Sequence, residues 1–406
     1  MRFSSAVATS LFVAAVFAFT GCGSNLQTSQ SLPAGGPLGT GPISQAEVLK
    51  LQLAGKLHSI FPRKALLHAL EMVSGHSRPH LSFRRTSSVS MWVSDQYYSY
   101  VIGTNGSGKQ VVTAIDTQQN GCLDPSGIKV DPTNNLWVAC TFNSAMTNGV
   151  VQEYKPGSST PYATFSDAGC NSPCTSFNAS AQDVAFDSNG HVFAADGDSN
   201  ECSPSCTNPL VAAVWWPAGS PNSVPTPIED PNITTFGGFL DVDSSGNLYM
   251  TGQGCIATAC GYLLDEIENP TSASATVTNL VPPSYSADLY GVYVSDRGTV
   301  LNVTDGLSRK TSQYHLPWTG VVFNTLGPTL LNLAGYGQPY SGGFNYGEKR
   351  LALGDAWGWV DIGRVATNSW SAATNIDINS LNVGAAFVPS DKQYPSGAHP
   401  QSFDRH

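Results

Sequence analysis

Charge is scarce in this chain. Only 12% of its 406 residues are Asp, Glu, Lys or Arg, and 19 Lys and Arg stand against 29 acids. That shortage of cations argues against nucleic acid as a partner. Apolar runs are scarce too: the stretch from Ala6 to Phe19 stands alone, and it is too short for a spanning helix. Also missing are a phosphate-cradling glycine loop, a Ser-His-Asp order with a nucleophile elbow, and a carboxylate pair placed for hydrolysis. What abounds is turn material, 40 Gly and 26 Pro. This composition suits a turn-rich all-β domain of roughly 300 residues with appendages, and it leaves no room for a long helical domain.

One local pattern recurs: an apolar run, an acidic turn, and a second apolar run. Clear copies are Gly127-Ile-Lys-Val-Asp131 into Leu136-Trp-Val138, Asp183-Val-Ala-Phe-Asp187 into Val192-Phe-Ala194, and Leu240-Asp-Val-Asp243 into Leu248-Tyr-Met250. Looser copies join Val292-Tyr-Val294 to Val300-Leu301, and Phe344-Asn-Tyr346 to Leu351-Ala-Leu353. The second runs begin at residues 91, 136, 192, 248, 300 and 351, so the intervals are 45, 56, 56, 52 and 51. Repeats of about 40 to 50 residues holding several short strands are the signature of a propeller. Two further strand-like runs follow each hairpin, such as Gly149–Tyr154 and Pro161–Phe165, which completes a four-stranded blade. Met91-Trp-Val93 is a second run without a first, and Val383 to Asp391 is a first run without a second. Pairing these two orphans closes a six-bladed ring over residues 91–391.

The hairpin turns Asp131–Asn135, Asp187–His191 and Asp243–Asn247 use residues that accept turn geometry. Their aspartates read as caps on backbone amides, not as calcium ligands. Trp92, Trp137, Phe193 and Tyr249 share one position in four repeats, as expected of a packing layer between blades.

The amino terminus carries a short positive start and an apolar stretch, the form of an export signal over residues 1–21. Phe19-Thr20-Gly21-Cys22 resembles a bacterial lipobox, with Phe19 a departure from the usual aliphatic residue. The resemblance implies cleavage before Cys22 and acylation of that cysteine, a membrane anchor in the cell envelope, periplasmic or surface-exposed. Residues 22–43 read as a flexible tether. Residues 44–90 read as a short helical segment and linker, opened by the capping box Ser44-Gln-Ala-Glu47. Seven Lys and Arg against two acids give that segment +5, while residues 91–406 carry −16. Contact with anionic lipid, docking on the acidic ring, or a solvated face all fit the segment. Its His68, His76 and His80 lack the spacing of a zinc ligand pair. Residues 392–406 form a polar tail.

With Cys22 assigned to lipid, eight cysteines remain: Cys122, Cys140, Cys170, Cys174, Cys202, Cys206, Cys255 and Cys260. An even number in an exported chain reads as disulfides. Cys170 with Cys174, Cys202 with Cys206, and Cys255 with Cys260 are neighbours in sequence. Cys122 and Cys140 meet if the start of a blade's first strand lies beside the end of its second. Chain entropy assigns about 3 kcal/mol to the Cys122–Cys140 bridge and about 2 to each short loop. Tetrathiolate zinc competes, against the spread of the pairs over two blades.

Through Pro125-Ser-Gly127, Val130-Asp131 and Asn135-Leu-Trp-Val138, the repeat resembles NHL-type and gluconolactonase-type six-bladed propellers over residues 91–391. It also resembles exported bacterial propellers of unassigned function. Lactonases on this scaffold hold a divalent cation at the channel mouth with inner-strand side chains. The comparable residues here are Gly127, Asp183, Gly238, Gly291 and Gly343, and only Asp183 offers a ligand, with Asp288 or Asn345 as its candidate companions. The leading expectation is therefore a non-enzymatic, lipid-anchored scaffold that needs no cofactor and binds a protein, peptide or glycan on its loop face. The alternative is a metal-dependent lactonase or lyase with a divergent site.

Overall fold

The computed structural model describes residues 89–388, except 97–98, 106–110, 144–148, 167–180, 197–210, 296–297, 328–338, 345–348, 356–358, 365–368 and 376–381. The chain separates into two units, Met1–His80 and Leu81–His406, and every described residue belongs to the second. Cys22, the tether, the expected helical segment up to residue 88 and the polar tail lie outside the described residues.

Strands β1 (Met91–Asp95), β2 (Tyr100–Thr104) and β3 (Val111–Asp116) begin blade 1. Blade 2 holds β4 (Cys122–Val130), β5 (Leu136–Asn143), β6 (Val150–Tyr154) and β7 (Ala163–Phe165). Blade 3 holds β8 (Ala181–Phe186), β9 (Val192–Asp196), β10 (Val211–Trp216) and β11 (Thr226–Glu229). Blade 4 holds β12 (Ile233–Val242), β13 (Leu248–Ile256), β14 (Ala259–Glu268) and β15 (Thr276–Ser284). Blade 5 holds β16 (Leu289–Val294), β17 (Val300–Asp305), β18 (Lys310–His315) and β19 (Val322–Leu326). Blade 6 holds β20 (Pro339–Phe344), β21 (Arg350–Asp355), β22 (Trp359–Arg364) and β23 (Ser369–Asn375).

The last strand, β24 (Asn382–Phe387), pairs antiparallel with β1, Met91 opposite Phe387 and Val93 opposite Ala385, and completes blade 1 as a four-stranded sheet. The two orphan runs are thus each other's partners. Consecutive inner strands touch in the order β24, β4, β8, β12, β16, β20 and back to β24, so the ring is closed. Closure hides the apolar side chains and backbone groups that an open seam would expose.

Apolar clusters fill the seams between blades. Trp137, Val151 and Phe165 of blade 2 pack with Val184, Val192, Val214 and Trp216 of blade 3. Phe193, Ala212 and Ile228 of blade 3 pack with Ile233, Leu240, Met250 and Leu263 of blade 4. Met91, Val93 and Phe387 of blade 1 pack with Ala352, Val360 and Ile362 of blade 6. Strands buried on both faces are apolar throughout, which is why the repeat reads as runs instead of strict alternation. Trp137 is sandwiched as expected of a packing layer, 5.5 Å from Phe165 and 5.9 Å from Phe186 by ring centroids.

The turn aspartates cap amides. Asp131 Oδ1 accepts the N–H groups of Thr133 at 2.8 Å and Asn135 at 2.9 Å, and its Oδ2 accepts Trp137 Nε1–H at 3.0 Å. Asp243 repeats the arrangement with Ser245 and Asn247, at 2.8 and 2.9 Å, and its Oδ2 accepts the Tyr249 hydroxyl at 3.3 Å. In blade 3, Asp187 accepts the Asn189 and His191 amides, both at 2.9 Å. The acidic turn and the aromatic of the following run are therefore one unit.

Candidate functional site

Every inner strand carries the same irregularity. The paired residues Pro125 with Cys140 and Ile128 with Val138 leave Ser126 and Gly127 of β4 opposite Ala139 alone. The same two-against-one bulge sets Gln182 and Asp183 opposite Ala195, Gly238 and Phe239 opposite Thr251, and Tyr290 and Gly291 opposite Thr304. It also sets Tyr340 and Ser341 opposite Gly354, and Val383 and Gly384 opposite Ser94. Bulges re-aim side chains and loosen the ladder, and six in register make a belt of irregular backbone around the ring interior. Of the residues compared in sequence, Gly127, Asp183 and Gly291 share the second bulge position. Gly238 and Gly343 do not: Gly238 is a first bulge residue, and Gly343 lies beyond the bulge, opposite Ala352. Counted four residues back from the first turn residue, the position is Gly127 before Asp131, Asp183 before Asp187, Phe239 before Asp243 and Gly291 before Ser295, so Gly238 is one residue out of line.

Two hydroxyls use this belt to join blades. Ser94 Oγ accepts the N–H of Gly384 at 2.8 Å and donates to the carbonyl of Ser126 in blade 2 at 2.6 Å. Thr251 Oγ1 accepts the N–H of Phe239 at 3.0 Å and donates to the carbonyl of Tyr290 in blade 5 at 2.5 Å. Both satisfy backbone groups that the bulge had freed.

Asp183 is fully buried at the second bulge position of β8. Its carboxyl lies across the backbone of Gly127, where any side chain would collide with it, and its Oδ2 accepts the N–H of Leu240 at 3.2 Å. Its Oδ1 has no hydrogen-bond partner. Burial pushes the carboxyl up to about 7 against the opposing pull of the Lys129 ammonium. Lys129 spans from β4 to β12, with Nζ 3.0 Å from Asp241 Oδ1. Asp241 Oδ2 in turn accepts the N–H of Val294 in β16 at 2.7 Å. Lys129, Asp183 and Asp241 thus link four consecutive inner strands. Asp183 is placed to hold or release a proton near neutrality, while Asp241 is committed to the ion pair and to backbone bonds.

The strand order gives the ring two faces. One carries the acidic hairpin turns; the other carries the links from second to third strands and from blade to blade. On the second face Cys122 is bonded to Cys140, Cα atoms 5.4 Å apart, and Cys255 to Cys260, Cα atoms 4.1 Å apart. Cys140 stands three residues before the end of its strand instead of at the end. Cys170, Cys174, Cys202 and Cys206 lie outside the described residues. Asp124, with a positive φ of 52°, and Asp288 stand near the start of β4 and just before β16 on this face. Burial raises each carboxyl to about 6, and Asp305 adds repulsion at Asp288.

The charge neighbours of Asp183 are Lys129 and Asp241, whereas that of Asp288 is Asp305, and Asn345 lies outside the described residues. Among the described residues, no group of three or more His, Cys, Asp or Glu could hold a metal ion. Sequence reasoning missed a recurrent acid at the end of the second strand: Asp95, Asp196, Asp305 and Asp355 occupy one register position in four blades. Asp305 shows its use, accepting the N–H of Asp288 at 2.9 Å and of Leu307 at 3.0 Å. The signal was there, since each closes its apolar run. Lys129 with Asp241 left no local signal at all.

No protein-family model matches the chain, and no curated protein does. Among solved structures, a chain of a nidogen/laminin complex is similar with a TM-score of 0.51 at 10% identity, covering 74% of this chain and 98% of that one. A chain of hydrazine synthase from Kuenenia stuttgartiensis reaches 0.45 at 14% identity, covering 69% of this chain and 78% of that one. Regucalcin from Agrobacterium tumefaciens, a calcium-binding protein, also reaches 0.45 at 14% identity, covering 66% of this chain and 79% of its own. At such identities the first likeness is one of fold alone, and the other two are too distant in shape to carry an argument.

Proposed function

We propose that this propeller is an interaction scaffold of the bacterial cell envelope, anchored through acylated Cys22 and binding a protein, peptide or glycan on its disulfide-bearing face. The observation that carries the reading is the placement of both described disulfides, Cys122–Cys140 and Cys255–Cys260, on that single face. Crosslinks there hold the connecting segments in fixed positions, which lowers the cost of ordering them on a ligand. Such bonds also suit an exported protein. Ser94, Thr251, Lys129 and Asp241 of the ring interior fit the same reading, because they are occupied in joining strands.

The test is capture from envelope extract by the oxidised protein. Wild type should retain a partner that Cys255→Ser/Cys260→Ser and Asp288→Lys lose, whereas Ser158→Arg on the opposite face keeps it. Equal capture by all four forms, or by none, would overturn the assignment of the face. Anchoring is read separately: Cys22→Ser should leave the membrane fraction, and wild type should take up a fatty-acid label.

A second reading, a metal-dependent lactonase or lyase, draws on the unpartnered Oδ1 of Asp183. It requires one equivalent of divalent metal that survives dialysis and is lost in Asp183→Asn.

A further inference from the structure

We propose that Asp230 and Asp265 share one proton that locks the crossing from blade 3 to blade 4, and that loss of this proton in alkaline solution releases the Cys255–Cys260 hairpin. Asp230 follows β11 and opens the crossing Asp230-Pro-Asn232 into β12, and Asp265 lies on β14. Leu263 and Ile267, two residues to either side of Asp265, belong to the apolar core between the two blades. The pairing of β14 with β13 is regular throughout, so alternation turns Asp265 into the same core. Both acids are completely buried.

The bonds around the pair call for that proton. Asn279 Nδ2 donates to Asp265 Oδ1 at 2.6 Å and Asn232 Nδ2 to its Oδ2 at 3.1 Å, while Asp230 Oδ1 accepts the N–H of Asn232 at 2.8 Å. Among the described residues, no N–H or O–H group donates to Asp230 Oδ2. The two carboxyl groups are hydrogen-bonded to each other, and such a bond requires that one of them carry a proton. Asp265, with an amide on each oxygen, is the acceptor, and Asp230 is the donor. Burial and then the Asp265 charge push Asp230 up to about 8, and burial raises Asp265 as well.

No basic side chain competes for the role. Strand β8 and the whole run from Val192 to Asp296 hold no Lys, Arg or His, and Lys129, reaching in from blade 2, is engaged by Asp241. The other titratable groups on the strands of these blades are Asp183 on β8, Asp196 on β9, Glu229 on β11 and Asp241 on β12, with Tyr249, Tyr262, Glu266 and Glu268 on the far face of blade 4. None of them is among the groups acting on the pair. The lock also has something to hold. Asn232 bridges both carboxyls, and its carbonyl accepts the N–H of Cys255 at 3.1 Å. Gly254 lies so close that any side chain there would collide with that carbonyl. A second negative charge in this apolar seam forces the carboxyls apart, and Asn232 and the hairpin docked on it move with them. The lock is a property of the hairpin itself and stands whether or not this face binds a ligand.

The experiment uses the oxidised full chain and follows hydrogen exchange of the Cys255 amide at about pH 7 and about pH 9.5, corrected for intrinsic exchange. Protection should fall by about tenfold between them, since opening frees Asp230 to titrate as an ordinary Asp. The amide of Asp230→Asn donates to Asp265 at every pH, so this variant should keep its protection, and Asp183→Asn should respond as wild type does. A local amide is read because Asp183, Asp124 and Asp288 shift global stability with the same sign. Infrared spectra at about pH 7 should show the carbonyl stretch of a protonated carboxyl that Asp230→Asn loses, and thermal melts verify that the variants fold. Equal wild-type protection at both pH values, a matching loss in Asp230→Asn, or an infrared spectrum that this substitution leaves unchanged overturns the proposal. Loss of protection on adding a chelator at neutral pH overturns it too, because a metal ion would then be joining the pair.

Discussion

Lys129 and Asp241 stand at the same register position of blades 2 and 4, opposite Trp137 and Tyr249, and their side chains meet at 3.0 Å across the intervening blade. Blade 3 permits this because its own residue at that position, opposite Phe193, is Ala185. Both partners are largely buried, so the pair is less screened than a surface ion pair. Replacing Lys129 with Met should destabilise the ring by about 1–3 kcal/mol, since Asp241 loses its ion-pair partner. Chemical denaturation of the two proteins at pH 7 checks the value.

The same cation holds down the proton affinity of Asp183, whose carboxyl lies near 7 because burial disfavours its charge. Its unfolded value is that of an ordinary Asp, so the folded state binds the extra proton between about pH 4 and pH 7. The Asp183 contribution to stability should therefore fall as pH rises through that window, by at most about 1.4 kcal/mol per unit, and level off above it, added to contributions of the same sign from Asp124 and Asp288. Asp183→Asn should flatten this slope, and Lys129→Met should extend it to higher pH. Urea midpoints measured across the range decide; an unchanged slope in Asp183→Asn would assign the effect to another group.

Ser94 and Thr251 make the same pair of bonds at opposite blades of the ring, so their loss should look alike. Thr251→Val keeps the shape and removes the hydroxyl, stranding the Phe239 N–H and the Tyr290 carbonyl. A loss of about 1–3 kcal/mol is expected, and Ser94→Ala should cost a similar amount. Differential scanning of the two variants measures it.

The Cys122–Cys140 bond closes a loop over a sequence separation of 18, so Cys122→Ser/Cys140→Ser should lose about 3 kcal/mol. Peptide mapping without reduction should recover the two cysteines in one fragment. Free thiols there, in protein purified without reductant, would contradict the pairing.

Deletion of residues 383–406 removes the strand that pairs with β1 and should abolish cooperative melting. Deletion of 392–406 should leave the melt unchanged. An unshifted transition in the shorter chain would mean that the ring holds without β24.

Much of the fold was legible because its signals are local. Asp131 and Trp137 fall within one hairpin, and the capping of turn amides by Asp131 was legible in its turn residues, whereas its bond to Trp137 Nε1–H came from the structure. Leu136, Val192 and Leu248 start their strands where the pattern places them. Cys140 was placed near Cys122 from strand direction alone. The channel was less legible. Gly238 and Gly343 were matched with Asp183, whereas the bulge register gives Phe239 and Ser341 that position.

Sequence by itself determined the number of blades, the strand order within each, and the joining of Met91-Trp-Val93 to the chain's last strand, since burial on both faces forces apolar runs at a fixed period and unpaired halves must find each other. Tertiary structure decided what the interior does. Ser94 and Gly384 are 290 residues apart in sequence, and Asp183 and Leu240 are 57 apart. Such contacts depend on the bulge register and on the small residues Gly127 and Ala185 beside them, and neither is a periodic property of the chain. The pairing of β1 with β24 brings Ser94 to Gly384, the packing of blade 3 on blade 4 brings Asp183 to Leu240, and burial raises the proton affinity of Asp183.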